Sequence, residues 1–425
     1  MNIHIHTFGC RLNQYESEKI SFELKNMGAN ITELKNADAI AINTCTVTND
    51  SDKKLINYLD KLENISQKKI FLIGCYVSKK ENSKNEENLF DKENITIIPN
   101  DKKEEASQII FNTLTKNYES KFKNPIFFPQ EQSRAYLKIQ DGCEVFCSYC
   151  IVARVRGKHK SVEPKKIYDA IKIAYEYGYK EIVLTGLNLG SYNYNNEIKF
   201  IQIVKNMLEI SSKFGIRIRL SSIEPIYFND ELINLFKNSE VLCPHAHIPL
   251  QSGSDKILKL MNRRYTSGYY LNIVEKLYKT NSNIGISADI MVGFPNEDSN
   301  DFKDTYNLCE KSKFIKMHIF RYSNRENTPS SKMSNQVGYR TKLKRAKLLN
   351  ELNNKMKDDF YKNAINRELK VIAEKKLENN YYIGTSGEYL KVKFKSEKII
   401  EKKDIIKVKA IKYKDNIIIG EAKNG

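Results

Sequence analysis

The chain has 425 residues, 40% of them apolar, with 70 Lys and Arg against 52 Asp and Glu, for a formal charge of +18 and a pI near 9.2. That size and apolar content support two or three cored domains and exclude a disordered chain, and no apolar run reaches the roughly 18 residues that a membrane helix needs. The charge favours a polyanionic partner such as nucleic acid, although much of the lysine is expected as solvated surface. Residues 1–10 hold two histidines and no apolar core segment, so a signal peptide is not expected. A cytoplasmic chain follows as the expectation, with its eight cysteines kept reduced as ligands or catalysts.

In chain order, residues 3–8 read as a strand, 12–27 as a helix, 39–43 as a strand, 52–64 as a helix, and 70–73 and 95–98 as two further strands. This alternation predicts a parallel sheet with helices on both faces, a three-layer α/β domain over residues 1–115. Cys10, Cys45 and Cys75 each end a strand, within Thr7-Phe8-Gly9-Cys10, Asn43-Thr44-Cys45 and Ile73-Gly74-Cys75. In a parallel sheet the C-terminal strand ends share one edge, where ligands bind, so cysteines in one register can converge on a point. Gly9 and Gly74 permit the tight turns that a bulky group needs. A single buried cysteine is ordinary; three at equivalent positions argue for ligands. Residues 79–92 are polar and charged, as expected for an exposed connection, and residues 116–132, with Pro125 and Pro129, read as a linker.

Residues 135–140 form another predicted strand and lead into Cys143-Glu144-Val145-Phe146-Cys147-Ser148-Tyr149-Cys150, a C-x3-C-x2-C run. Three thiolates this close can hold three corners of a cubane iron–sulfur cluster and leave one iron open. An open position on a metal marks chemistry more than scaffolding. Structural zinc is the alternative, but zinc knuckles pair C-x2-C units with a second pair or with histidines, and this triplet has no nearby partner. Further strands at 181–184, 216–220, 246–250, 286–292 and 316–322 alternate with helical stretches such as 164–177 and 201–212. The six β/α units predict a partial (β/α)6 barrel over residues 129–360, with its chemistry at the C-terminal strand ends. Those ends hold Thr185-Gly186-Leu187-Asn188, Ser221-Ser222-Ile223-Glu224-Pro225, Gln251-Ser252-Gly253 and Gly293-Phe294-Pro295. Cys243, Cys309 and the histidines His4, His6, His245, His247 and His318 read as packing or hydrogen-bonding residues. Residues 339–361 form a basic helix with Arg340, Lys342, Lys344, Arg345 and Lys347. Short strands at 370–373, 381–384, 389–394, 405–413 and 417–420 predict a small antiparallel β-barrel over residues 361–425.

The cysteine run resembles that of the radical S-adenosylmethionine enzymes. The chain as a whole resembles the radical S-adenosylmethionine methylthiotransferases, which join a three-cysteine N-terminal domain, a radical core barrel and a C-terminal TRAM β-barrel. Thr7-Phe8-Gly9-Cys10-Arg11-Leu12-Asn13-Gln14-Tyr15-Glu16-Ser17-Glu18, Asn43-Thr44-Cys45-Thr46-Val47-Thr48-Asn49 and Arg219-Leu220-Ser221-Ser222-Ile223-Glu224-Pro225 are similar to the branch acting on N6-threonylcarbamoyladenosine in tRNA. His247-Ile248-Pro249-Leu250-Gln251-Ser252-Gly253-Ser254 is shared more widely.

The resemblance implies that this nucleoside, next to the anticodon, becomes its 2-methylthio form. It implies two 4Fe–4S clusters, a radical-generating one on Cys143, Cys147 and Cys150 and an auxiliary, sulfur-carrying one on Cys10, Cys45 and Cys75. It implies an S-adenosyl-L-methionine site lined by Tyr149, Gly186, Asn188, Glu224 and Gln251, where one molecule supplies the methyl group and a second the radical. A C–H bond on an aromatic carbon has no acidic proton near neutral pH, so a radical replaces acid–base catalysis. The basic helix and Lys391, Lys393 and Lys395 are expected on tRNA phosphates. A flavodoxin- or ferredoxin-like electron donor and a monomeric enzyme are also expected. Related branches methylthiolate isopentenyl-adenosine in tRNA or an aspartate of a ribosomal protein. An RNA-binding protein with structural metal sites is the non-enzymatic alternative.

Two departures stand out. Ile151-Val152-Ala153-Arg154-Val155-Arg156-Gly157 lacks the proline that usually precedes the Arg-Gly pair, which should free the loop, and Arg154 adds charge there. Asn296 follows Pro295 where the family has glycine; asparagine tolerates the left-handed conformation that this turn needs.

Overall fold

A computed structural model describes residues 1–62, 68–81, 93–116 and 127–423. Residues 63–64 of the second predicted helix, 82–92 of the expected connection and 117–126 of the expected linker lie outside them. The chain forms two compact units, each assembled from separate stretches. The first comprises Met1–Pro129, Gln140–Lys160 and Ser323–Ser331; the second comprises Gln130–Ile139, Ser161–Tyr322 and Lys332–Gly425. Both cysteine triads fall in the first unit. Among the described residues no helix is long and apolar enough to cross a membrane.

The first unit is built on strands β1 (Asn2–Thr7), β2 (Asn30–Ile31), β3 (Ala39–Thr44), β4 (Lys69–Gly74) and β5 (Ile95–Ile98), in the order β2-β1-β3-β4-β5 and parallel throughout. Helices α1 (Arg11–Asn26), α2 (Asn49–Asp60), α3 (Cys75–Glu81) and α4 (Ala106–Thr115) cover it. Successive side chains of a strand point to opposite faces. Ala39, Ala41, Phe71 and Ile73 therefore meet Ile20 and Leu24 of α1 and Ile110 of α4. Ile40, Ile42, Ile70 and Leu72 face Leu55 and Leu59 of α2 and Tyr76 and Val77 of α3. Burial on both faces explains why β3 and β4 read as unbroken apolar runs, each large side chain contributing about 1.5–3 kcal/mol.

The second unit holds parallel strands β6 (Ala135–Lys138), β7 (Glu181–Thr185) and β8 (Arg217–Leu220), then β9 (His245–His247), β10 (Gly285–Val292) and β11 (Lys316–Arg321). Parallel bridges from Ile218 to Leu242 and from Ser222 to His247 join the halves into the expected six-stranded partial barrel. Strands β12 (Glu368–Lys376), β13 (Tyr381–Ser386), β14 (Lys391–Lys395), β15 (Ile405–Lys414) and β16 (Ile417–Ala422) close a small barrel in the order β12-β13-β14-β16-β15. Its pairs are antiparallel except for a parallel seam between β14 and β16.

Glu181, fully buried at the start of β7, anchors this small barrel. Arg217 and Arg219 pair with its carboxylate at 2.5 and 2.7 Å and donate onward to carbonyls of Lys370, Thr385, Ser386 and Gly387. Burial alone would push the Glu181 carboxyl up; Arg217, Arg219 and Arg134 outweigh it and hold it at about 2. The small barrel thus seats at the N-terminal ends of the strands. That leaves the C-terminal ends, where barrel enzymes place their chemistry, to other groups.

Candidate functional site

Sheet register assembles the first triad. Thr7 pairs with Asn43 and Thr44 with Gly74, so Cys45 and Cys75 leave adjacent strands, about 4.8 Å apart, at the same level. Cys10 is the N-cap of α1 and Cys75 opens α3. Gly9 has φ +103°, and a Cβ there would lie 2.6 Å from Cys45 Cβ and 2.9 Å from its Sγ. No other residue fits that approach without strain. Asn13 of α1 ties the strand ends, donating from Nδ2 to the carbonyls of Phe8 (2.8 Å) and Thr44 (2.9 Å). Thr44 Oγ1 donates to the Ile73 carbonyl at 2.7 Å and accepts from the Tyr76 amide at 3.1 Å. Burial pushes the Cys45 thiol up, and the charges of Cys75 and Cys10 push it further. The three cysteines thus stand at one edge of the sheet, a set of soft sulfur donors.

The second triad is local. Gly142, with φ +71° and its Cβ position 2.0 Å from the Lys158 carbonyl oxygen, lets the loop enter. The Cys143 amide donates to the Gly157 carbonyl at 3.3 Å and the Cys150 amide to the Cys147 carbonyl at 3.0 Å. The Val152 amide donates to Cys150 Sγ at 3.4 Å. Phe146 is left-handed at φ +51° and 60% exposed, and Tyr149 is half-buried. The expectation of a freed loop is corrected here. Without the proline, Val152–Arg156 winds into a short helix, α5, that exposes Arg154 and turns Arg156 inward.

The sulfurs of neither triad all lie within 4.8 Å of one another among the described residues. A single zinc ion, with Zn–S about 2.3 Å, needs them under about 4 Å apart.

Sequence reasoning missed the ionic frame of these loops. Arg156, 3% exposed, pairs with Glu16 at 2.5 Å and donates from Nε to Cys75 Sγ at 3.2 Å. Buried Lys103 pairs with the same Glu16; burial pushes its ammonium down against the pull of that carboxylate. Arg325 donates to Asp52 at 2.9 Å and to the carbonyl and hydroxyl of Thr46, next to Cys45. From the same segment, the Ser330 amide donates to the Ser148 carbonyl, inside the second triad, at 2.9 Å.

Gly186, Asn188, Glu224 and Gln251 lie in the second unit, and Tyr149 in the first. Asn188 is buried and opens a 3-10 turn after β7. Glu224 is ion-paired with Arg263; burial pushes its carboxyl up in spite of that arginine. Gln251 sits at φ +64°, a strained value for a non-glycine residue, while its backbone bridges Asp289 and Met291 at 2.8 Å each. Asp289 lies beside this group. Burial would raise its carboxyl, but a 3.1 Å contact to His247 Nε2, with His318 and Arg263, holds it below its usual range. His247, Asp289 and His318 have ligand atoms within 4.8 Å of one another. Both ring nitrogens of His247 are already engaged, by Ser287 (2.9 Å) and Asp289, so the group is a hydrogen-bonded chain. Strand pairing of His247 with Ser287 and of Asp289 with His318 creates it.

Two of the basic residues expected on RNA are structural. Arg345 is buried on Glu297 at 2.5 Å, and Lys342 Nζ donates to the Tyr322 carbonyl at 3.0 Å. Arg340, Lys344 and Lys347 remain exposed on the helix Tyr339–Lys362, as do Lys391, paired with Glu374 at 2.6 Å, and Lys395 on β14, where Lys393 is half-buried over Tyr381. Asn296 adopts φ +67°, as its turn requires.

Residues 137–309 match the Radical SAM superfamily and residues 2–98 an uncharacterised protein family, UPF0004. The threonylcarbamoyladenosine tRNA methylthiotransferase MtaB of Bacillus subtilis is 33% identical over 96% of this chain and 93% of its own length. That of Thermotoga maritima is 33% identical over 94% and 92%. The tRNA-2-methylthio-N(6)-dimethylallyladenosine synthase of Pelagibacter ubique is 32% identical over 99% and 97%. Among solved structures, the radical S-adenosylmethionine methyltransferase TsrM from Kitasatospora setae superposes with a TM-score of 0.53 at 9% identity, over 77% of this chain and 76% of that one. This last likeness is one of fold alone.

Proposed function

The chain belongs to the radical S-adenosylmethionine methylthiotransferase family, and from that premise we propose that it methylthiolates C2 of N6-threonylcarbamoyladenosine, next to the anticodon of tRNA. The observation that carries this reading is the presence of two cysteine triads, one on a sheet edge and one in a loop, within a single compact unit. When bound, two 4Fe–4S clusters supply the electron that opens the sulfonium of S-adenosylmethionine and the sulfur that is inserted. Cys143, Cys147 and Cys150 would hold the first. Cys10, Cys45 and Cys75 would hold the second, with Cys45 and Cys75 buried and Cys10 exposed. Gly186, Asn188, Glu224 and Gln251 orient S-adenosylmethionine, with Arg263 fixing the Glu224 carboxylate. The exposed cations Arg340, Lys344, Lys347 and Lys395 hold tRNA phosphates and position the substrate without reading its sequence. A flavodoxin- or ferredoxin-like protein delivers the electron, and the chain acts as a monomer.

Nucleoside analysis of tRNA from a deletion strain tests the substrate. Loss of 2-methylthio-N6-threonylcarbamoyladenosine, restored by this chain, is expected. The similar identity of the dimethylallyladenosine synthases supports isopentenyl-adenosine as the second reading, and loss of its methylthio form instead would shift the assignment there. An unchanged nucleoside profile contradicts both.

A further inference from the structure

We propose that Arg156 is a positioning residue that fixes the sulfur of Cys75 and tunes the electron affinity of the cluster held by Cys10, Cys45 and Cys75. This rests on the reading that these three cysteines hold a cluster. The guanidinium is 3% exposed and each of its nitrogens is occupied. Nε donates to Cys75 Sγ at 3.2 Å. Nη1 pairs with Glu16 at 2.5 Å and approaches Asp141 at 3.5 Å, and Nη2 donates to Asn13 Oδ1 at 2.7 Å and Glu16 Oε2 at 3.2 Å. Glu16 and Asn13 belong to α1, which Cys10 caps, and Asn13 also holds the carbonyl of Thr44, next to Cys45. Arg156 itself ends α5, just after Cys150, and Asp141 stands just before Cys143. One planar fork therefore touches a ligand of the first triad, the helix next to its other two, and the loop of the second. A lysine, with a single point charge, cannot make this set.

A cationic N–H donor on a ligand sulfur withdraws electron density from it. Such hydrogen bonds raise the reduction potential of the metal group, and outer partners of this kind also set ligand orientation. Glu16 keeps Arg156 in place and is the carboxylate shared by two buried cations, Arg156 and Lys103.

The test uses the full chain, anaerobically reconstituted, with Cys143, Cys147 and Cys150 changed to alanine so that only the first centre is titrated. Arg156→Lys and Arg156→Gln, the latter leaving Glu16 paired with Lys103, are compared with the parent by redox titration followed by electron paramagnetic resonance. Both variants are expected to retain about four irons per chain and to show a lower midpoint potential with an altered spectrum. In the background with all six cysteines, methylthiolated product should form about 10–100-fold more slowly. A midpoint potential and spectrum unchanged in both variants, with iron retained, would overturn the role of Arg156 and leave the cluster assignment standing. A parent chain without iron in this centre would overturn both.

Discussion

The two cysteine triads reach similar donor sets by opposite routes. Cys143, Cys147 and Cys150 are neighbours in sequence, and one turn with an i to i+3 hydrogen bond brings them together. Cys10, Cys45 and Cys75 are brought together by the register of three parallel strands and by two left-handed glycines. A local triad is set by the run of its own loop, whereas a topological triad needs the sheet. Damage to strand ends should therefore disable one centre and spare the other.

The largest effect should come from changing Cys143, Cys147 and Cys150 to alanine. Cleavage of S-adenosylmethionine to 5′-deoxyadenosine should fall to background, and with it all product, while the first centre keeps about four irons. Changing Cys10, Cys45 and Cys75 instead should abolish methylthiolated product but leave reductive cleavage measurable by chromatography. Equal loss of cleavage in both triple variants would break the contrast. Gly9→Ala places a side chain at φ +103° against Cys45. It should destabilise the first unit by about 1–3 kcal/mol in a denaturant titration and selectively lower iron in the first centre. Smaller still is Asp52→Asn, which weakens the contacts to Arg325 (2.9 Å) and Lys79 (3.2 Å) behind the Cys45 loop. A loss of about 1–2 kcal/mol is expected, with product formation reduced rather than abolished.

Much of this was legible in the sequence, for reasons that differ by residue. The alternation of strand and helix placed Cys10, Cys45 and Cys75 on one sheet edge because parallel strands all end there. The barrel strands were legible because Ile182, Val183, Ile218, Ile286 and Ile290 are apolar and fully buried. Long-range side-chain partners were not legible. Arg154 and Arg156 look alike in sequence, and only the pitch of α5 turns one outward and the other onto Cys75. Arg345 sits among exposed cations, yet Glu297 draws it inside. The pairing of Asp289 with His247 depends on the register between β9 and β10, which no local pattern reveals. Helix α4 was missed because its β-branched residues and absent side-chain cap weaken the signal.

Iron and sulfide content with Mössbauer spectra, measured on the anaerobically reconstituted chain and on each triple-cysteine variant, tests the central claim most directly. About eight irons are expected in the parent and about four in each variant, all in cubane clusters. A variant lacking Cys10, Cys45 and Cys75 that still held about eight irons would contradict it.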